Sequence, residues 1–205
     1  MTMTAEQYIE RVIDAMPRTT PLRAQIAMEL RGHIAERVNT GQPLADVITQ
    51  LGDPGKLAES YLAAEPLIAA NPFRRLAAKV LDVLIVLAVI GPVLLSIGLL
   101  ARSEGGVWVV LLLLFLIGSS IVFVVYTIAA ETLYSQTIGK WLLNLRVVRE
   151  SGARISVGQA IVRQLPAVLQ VGWIDAMFAL FTEKSQRAFE MLSKTRVVVA
   201  SQEVK

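Results

Sequence analysis

Hydrophobic residues form two long runs in the middle of the chain. The first extends from Val80 to Leu100 with Asp82 as its single charged residue, and the second extends from Val107 to Ala130 with none. Each is long enough for the roughly 20-residue helix that crosses the hydrocarbon core of a bilayer. The pattern predicts a mainly α-helical integral membrane protein with a two-span hairpin, at about residues 73–101 and 107–130.

Residues 1–70 have a different pattern, because apolar side chains recur there at intervals of three and four, as on one face of a helix. Helix starts are marked by Thr4 with Gln7, by Thr20-Pro21 and by Asp53-Pro54. We therefore expect a small helical bundle over residues 1–70, ahead of a membrane domain over residues 71–205.

The chain after the second run contains two short β-branched segments, Leu145 to Arg149 and Thr195 to Ala200. If these two strands pair, both lie on the same side of the membrane. The stretch from Ser156 to Ser193 then leaves that side and returns to it, and its charged residues and prolines argue against a simple span. We expect interfacial or re-entrant helices at about residues 156–192.

Charge is distributed unevenly along the chain. Basic residues flank the hairpin at Arg74, Arg75, Lys79, Lys140, Arg146, Arg149 and Arg154, whereas the connecting loop contains only Arg102. The positive-inside rule then predicts a multi-pass inner-membrane protein with a cytoplasmic N-terminus. Residues 1–70 carry six basic and nine acidic groups, which disfavours binding to nucleic acid.

The composition removes most kinds of catalytic site. The chain contains no cysteine and one histidine, His33. A thiol nucleophile, a cysteine-ligated zinc ion and a multi-histidine metal site are therefore excluded, and no nucleotide-binding motif is visible. We expect neither an enzyme nor a bound cofactor.

The charges at the start of the first span are the strongest functional signal. Arg75, Lys79 and Asp82 follow one another at intervals of four and three, which places them on one helical face. One interpretation is a structural salt bridge at the headgroups. The other is a cation or proton site, since ionisable residues within spans are usually functional.

Three ordered motifs carry a resemblance to a known family. They are FRRLAAKVLD with Arg75 and Asp82, SQTIGKWLLNLRVV with Gln136, Thr137 and Lys140, and IVRQLP with Arg163. From about residue 71 to 200 the chain resembles the RDD family of small membrane proteins, named for an arginine and two aspartates. The resemblance implies a transport-related protein, and some members are regarded as monovalent cation/proton exchangers.

The last family motif departs from its usual form. The family closes with histidine, aspartate and, after a short run, glycine, where this chain has Phe189, Glu190 and Lys194. A carboxylate survives at Glu190, and Asp175 is a further candidate. The ion- or proton-binding candidates are thus Arg75, Asp82, Asp175 and Glu190, with Lys79, Gln136, Thr137, Lys140 and Arg163 in support.

Residues 1–70 resemble the helical prefix domain found ahead of bacterial permease-like regions, through TAEQYIERVIDAMP and VITQLGDPGKLAESYL. This implies either a cytoplasmic regulatory module that binds a partner protein or a passive cap. Two hypotheses result. In the first, the protein is a transporter, which needs at least a homo-oligomer or a partner protein because two spans cannot easily enclose a polar path. In the second, it is a non-transporting anchored regulator.

Overall fold

The computed structural model describes residues 3–63, 67–100, 105–169 and 188–200. The elements run in the order α1 Ala5–Asp14, α2 Arg23–Asn39, α3 Leu44–Leu51, α4 Pro54–Ala63, α5 Pro72–Leu100, α6 Gly105–Tyr134, α7 Ile138–Leu142, β1 Leu145–Arg149, α8 Val157–Val168, α9 Ala188–Leu192 and β2 Thr195–Val199. The mainly helical fold with one short strand pair confirms the predicted class.

Helices α1 to α4 form the N-terminal bundle, which we call the head. Its core contains Tyr8, Val12, Met16, Leu30 and Val47, all buried. Val12, Met16 and Leu30 are among the apolar positions that recur at helical spacing in α1 and α2. Val38, which continues that spacing in α2, is 40% exposed.

The starts of the head helices agree with the predicted caps in two cases of three. The side chains of Thr4 and Gln7 form the reciprocal capping box of α1, and the Asp53 carboxylate accepts the backbone N–H of Lys56 in α4. The prediction at Thr20-Pro21 was wrong, because the backbone N–H of Thr20 closes a separate turn onto the carbonyl of Pro17. Helix α2 consequently begins at Arg23, without a side-chain cap.

Within the described residues, α5 and α6 are the helices long and apolar enough to cross a membrane. They pack against each other, but side chains such as Leu84, Val89, Leu113 and Val125 are more than half exposed. That exposure suits lipid-facing helices better than the core of a soluble protein. Helix α6 extends past Ala130, the predicted end, and so includes Glu131.

Strands β1 and β2 form the predicted pair, which is antiparallel, with Leu145 opposite Val199 and Arg149 opposite Thr195. A further bridge joins Ala69 to Val198. Leu145, Val147 and Val197 are buried in a second core. The strands bring the segment before α5 and the segment after α9 to the same place.

Candidate functional site: a buried ionic cluster

A small polar cavity of about 60 Å³ lies between the first half of α5 and the C-terminal end of α6. Seven charged side chains line it, and we call them the ionic cluster: Arg75, Lys79, Asp82, Glu131, Lys140, Arg163 and Glu190. Phe123, Thr127, Gln164, Phe189 and Val197 complete the lining. A cavity of this size has room for a few water-sized particles.

The hairpin explains how residues far apart in sequence meet here. Because α5 and α6 are antiparallel neighbours, the start of one lies beside the end of the other. The spacing of four and three turns Arg75, Lys79 and Asp82 toward the same side of α5, as predicted. Helix α7 packs against α5 and helix α8 against α6, so Lys140 and Arg163 close the cavity.

Asp82 is 3% exposed and its carboxylate is held by three uncharged donors. The hydroxyl of Thr137 donates to Oδ2 at 2.5 Å, and the backbone N–H of Gly139 donates to Oδ1 at 2.8 Å. The hydroxyl of Tyr126 donates to Oδ1 at 3.1 Å. These three hydrogen bonds fix the position of the Asp82 carboxylate.

Close packing of α7 against α5 explains why position 139 is a glycine. A Cβ atom at Gly139 would overlap the backbone carbonyl oxygen of Ala78 and would lie 3.0 Å from the carboxyl carbon of Asp82. Thr137, one side-chain partner of Asp82, is also the N-cap of α7. The motif therefore brings backbone and hydroxyl donors within hydrogen-bonding distance of the α5 carboxylate.

Glu131 is the most buried carboxylate of the ionic cluster, with its side chain 1% exposed. It forms ion pairs with Lys140 and with Arg163, whose Nε lies 3.1 Å from Oε2. Burial lowers the pKa of Lys140, and the Glu131 carboxylate opposes that shift. Removing one partner of such a pair leaves an uncompensated buried charge, which typically costs about 3–5 kcal/mol.

Glu190 connects the remaining arginines. It forms an ion pair with Arg75, and its Oε1 lies 3.4 Å from Nη2 of Arg163. Arg163 also donates from Nη1 to the hydroxyl of Thr195 at 2.8 Å. A continuous series of ion pairs thus runs from Arg75 through Glu190, Arg163 and Glu131 to Lys140.

The structure brings together most of the residues predicted from the sequence. Arg75, Lys79, Asp82, Lys140, Arg163 and Glu190 all line the cavity, and Thr137 binds Asp82. Gln136 instead lines a separate groove beside Tyr126 and Trp141. Asp175 lies outside the described residues.

The sequence prediction missed two residues of the candidate site, Glu131, which lines the cavity, and Tyr126, which donates to Asp82. Glu131 directly follows the second apolar run, whose predicted end is Ala130, and a hairpin places that end beside Asp82. Tyr126 lies inside the run and carries a hydroxyl that a membrane interior must satisfy. Pairing the two runs antiparallel would have pointed to both.

The charges of the ionic cluster nearly cancel. Among the lining residues that the structure describes, four basic side chains face three carboxylates, for a net charge of +1. No group of three His, Cys, Asp or Glu side chains suited to a metal ion occurs in the described part of the chain.

Comparison with known proteins agrees with this architecture. The model of the RDD family matches residues 69–194, and the HAAS model matches residues 7–60. The chain is therefore a member of the RDD family, a family of membrane proteins. The HAAS match covers most of the head, the segment predicted to be a prefix domain.

One curated relative is a Bacillus subtilis (strain 168) protein described as uncharacterized protein YxaI. It is 41% identical over 64 residues, which are 30% of this chain and 42% of the relative. The match thus spans about two fifths of that relative's length. No solved structure matches the chain.

Proposed function

We propose that this RDD family protein is transport-related and exchanges a monovalent cation for a proton at the ionic cluster. The observation that carries the proposal is a polar cavity lined by three buried carboxylates, placed between two apolar helices able to cross a membrane. Ionisable groups in such a position are costly and are usually retained for function.

Asp82 is the best candidate for the exchanging carboxylate. Glu131 and Glu190 each form ion pairs with two basic side chains, so a further cation would have to displace those partners. Asp82 is held by the uncharged donors Thr137, Gly139 and Tyr126, so a proton and a cation can compete for it more readily. Asp175 stays a predicted second carboxylate.

Phe123 suggests where a path would continue. This ring lines the cavity of the ionic cluster and also a second cavity of about 160 Å³. The second cavity is lined by Ser119 and Ser120, which lie nearer the middle of α6. Two spans cannot surround a polar path alone, so we propose a homo-oligomer, with the basic flanks of the hairpin and the head in the cytoplasm.

The test is ion flux in reconstituted vesicles. We expect the purified protein to change the internal pH when sodium or potassium is added outside, and Asp82→Asn to reduce that change at least tenfold. Asparagine keeps the acceptor for Gly139 and removes the charge. Glu36→Gln, at an exposed position of α2 in the head, is the matched control and should retain wild-type flux. Full flux in Asp82→Asn would remove Asp82 from the mechanism.

A second candidate is a non-transporting anchored regulator whose head binds a cytoplasmic protein. The head supports it, since this bundle has its own buried core and matches a separate family model. In that case wild-type vesicles would show no more ion-dependent pH change than empty vesicles. The buried cluster would then serve only to fix the hairpin.

A further inference from the structure

Residues 150–154 lie in the connection from β1 to α8, between the head and the end of α6, and we call them the strap. One side of the strap packs against the head. Ala153 is buried in the head core, and the backbone N–H of Arg154 donates to the carbonyl of Ala15 at 3.0 Å. The hydroxyl of Ser151 donates to Glu59 of α4 at 3.0 Å.

The other side of the strap holds the last turn of α6. Nε of Arg154 donates to the carbonyl of Thr132 at 2.7 Å, and Nη2 donates to the carbonyl of Leu133 at 3.2 Å. Carbonyls in the last turn of a helix have no partner within the helix, so this guanidinium supplies one. The head also reaches this turn directly, because Arg18 lies 5.5 Å above the ring of Tyr134.

Glu131 immediately precedes these two carbonyls. Its ion pairs with Lys140 and Arg163 depend on the position of this last turn, since both partners come from other helices. We propose that Arg154 is a positioning residue, through which the head fixes the end of α6 and thereby the ionic cluster. The head and the cavity are then energetically coupled, and a change in either one alters the other.

The coupling has a consequence for control of the protein. A ligand or partner that loosens the contact of the head with the strap would release the last turn of α6 and open the cavity. One that tightens the contact would hold the cavity closed. This inference does not rest on the proposed exchange of ions, because it concerns access to the cavity and not flux.

Access can be measured with a single introduced cysteine, because the chain contains none. Thr127→Cys places a nearly isosteric thiol at a buried position that lines the cavity. The readout is the rate of its reaction with N-ethylmaleimide in the full-length protein. Ser119→Cys, buried eight residues earlier in the second cavity, is the reference reporter.

We expect Arg154→Ala to raise the reaction rate at Thr127→Cys about tenfold and to leave the rate at Ser119→Cys within twofold. Arg154→Lys keeps the charge but cannot reach both carbonyls with a planar fork, so we expect an increase of about threefold. Should Arg154→Ala fail to fold, Arg154→Lys decides the matter.

The matched control is Arg37→Ala, which removes an arginine that contacts Gln50 within the head. It should leave both reporters unchanged. Two results would overturn the inference: an unchanged rate at Thr127→Cys in the Arg154 variants, or an equal increase at both reporters, which indicates general loosening. Full flux in Asp82→Asn, together with faster labelling in the Arg154 variants, would count against the exchange proposal alone, so the two proposals fail separately.

Discussion

Lys194 has a backbone conformation that favours glycine, the residue that the family pattern has at this position. The sequence places it where the family has glycine, and the structure gives it φ of +52°. This is the left-handed region, which costs an L-residue roughly 1–2 kcal/mol and glycine almost nothing. The chain therefore keeps a glycine-type turn before β2 at an energetic cost.

Restoring the glycine should stabilise the protein. We expect Lys194→Gly to raise the free energy of unfolding by about 0.5–1 kcal/mol, because relief of strain exceeds the extra freedom of glycine in the unfolded chain. Thermal unfolding in detergent measures the effect. Asn144→Gly, at φ of +51°, is the control and should gain less, since asparagine tolerates this region. An equal or larger gain at Asn144 would contradict the explanation.

The sequence predicted which charged residues lie close together, but it did not predict which of them form ion pairs. Arg75, Lys79 and Asp82 were placed on one face by spacing alone, and they line one cavity. The ion pair of Arg75 with Glu190 joins residues 115 positions apart, which no local pattern predicts. Glu131 was missed because an acidic residue at the end of an apolar run resembles an ordinary flank.

At the scale of elements, the short helix α7 could not be predicted from the pattern of apolar and polar residues. A segment of five residues has too few positions for a helical period, so the sequence indicated only a polar turn before a strand. Its structural role comes from contact with α5, through Gly139 and Asp82. The strand pair, in contrast, was predictable because both segments contain β-branched residues and are bounded by turns.

Gly139→Ala tests the contact between α5 and α7. A methyl group there meets the carbonyl of Ala78, which cannot retreat without moving α5, so we expect a loss of about 1–3 kcal/mol of stability. The matched control is Gly158→Ala in α8, where the nearest atom to an added Cβ is 4.0 Å away. It should be neutral or stabilising by up to about 1 kcal/mol. Equal melting temperatures for both variants would show that the contact of the added methyl group with the carbonyl of Ala78 does not destabilise the protein.

At the scale of the whole molecule, the head is not a separable attachment. Ala153 of the strap completes the head core, and Ile68 accepts a backbone hydrogen bond from Val199. A deletion of residues 1–68 removes both of these contacts. Since that deletion also removes support from the end of α6, loss of flux in it would not identify a regulator.

The head should lose stability in alkaline solution. Burial raises the pKa of Tyr8, so unfolding releases a proton once the pH exceeds about 10. The stability contributed by the neutral phenol is complete below that pH and is lost as the pH rises through the folded-state pKa.

Urea unfolding followed by circular dichroism at pH 8 and at pH 10.5 measures this loss. Tyr8→Phe should be less stable at pH 8 by about 1 kcal/mol, because the hydrogen bond from the phenol to the carbonyl of Gly52 is lost. It should also show a smaller alkaline loss than the wild type. The same alkaline loss in Tyr8→Phe would exclude Tyr8 as the cause.

The bridge between Ala69 and Val198 has a consequence for the evolution of such chains. It places the segment just before α5 next to the end of β2. A module fused before α5 and a module fused after β2 would therefore arrive at the same spot. Recombination can exchange one appended domain for another there without rethreading the helices that enclose the charges.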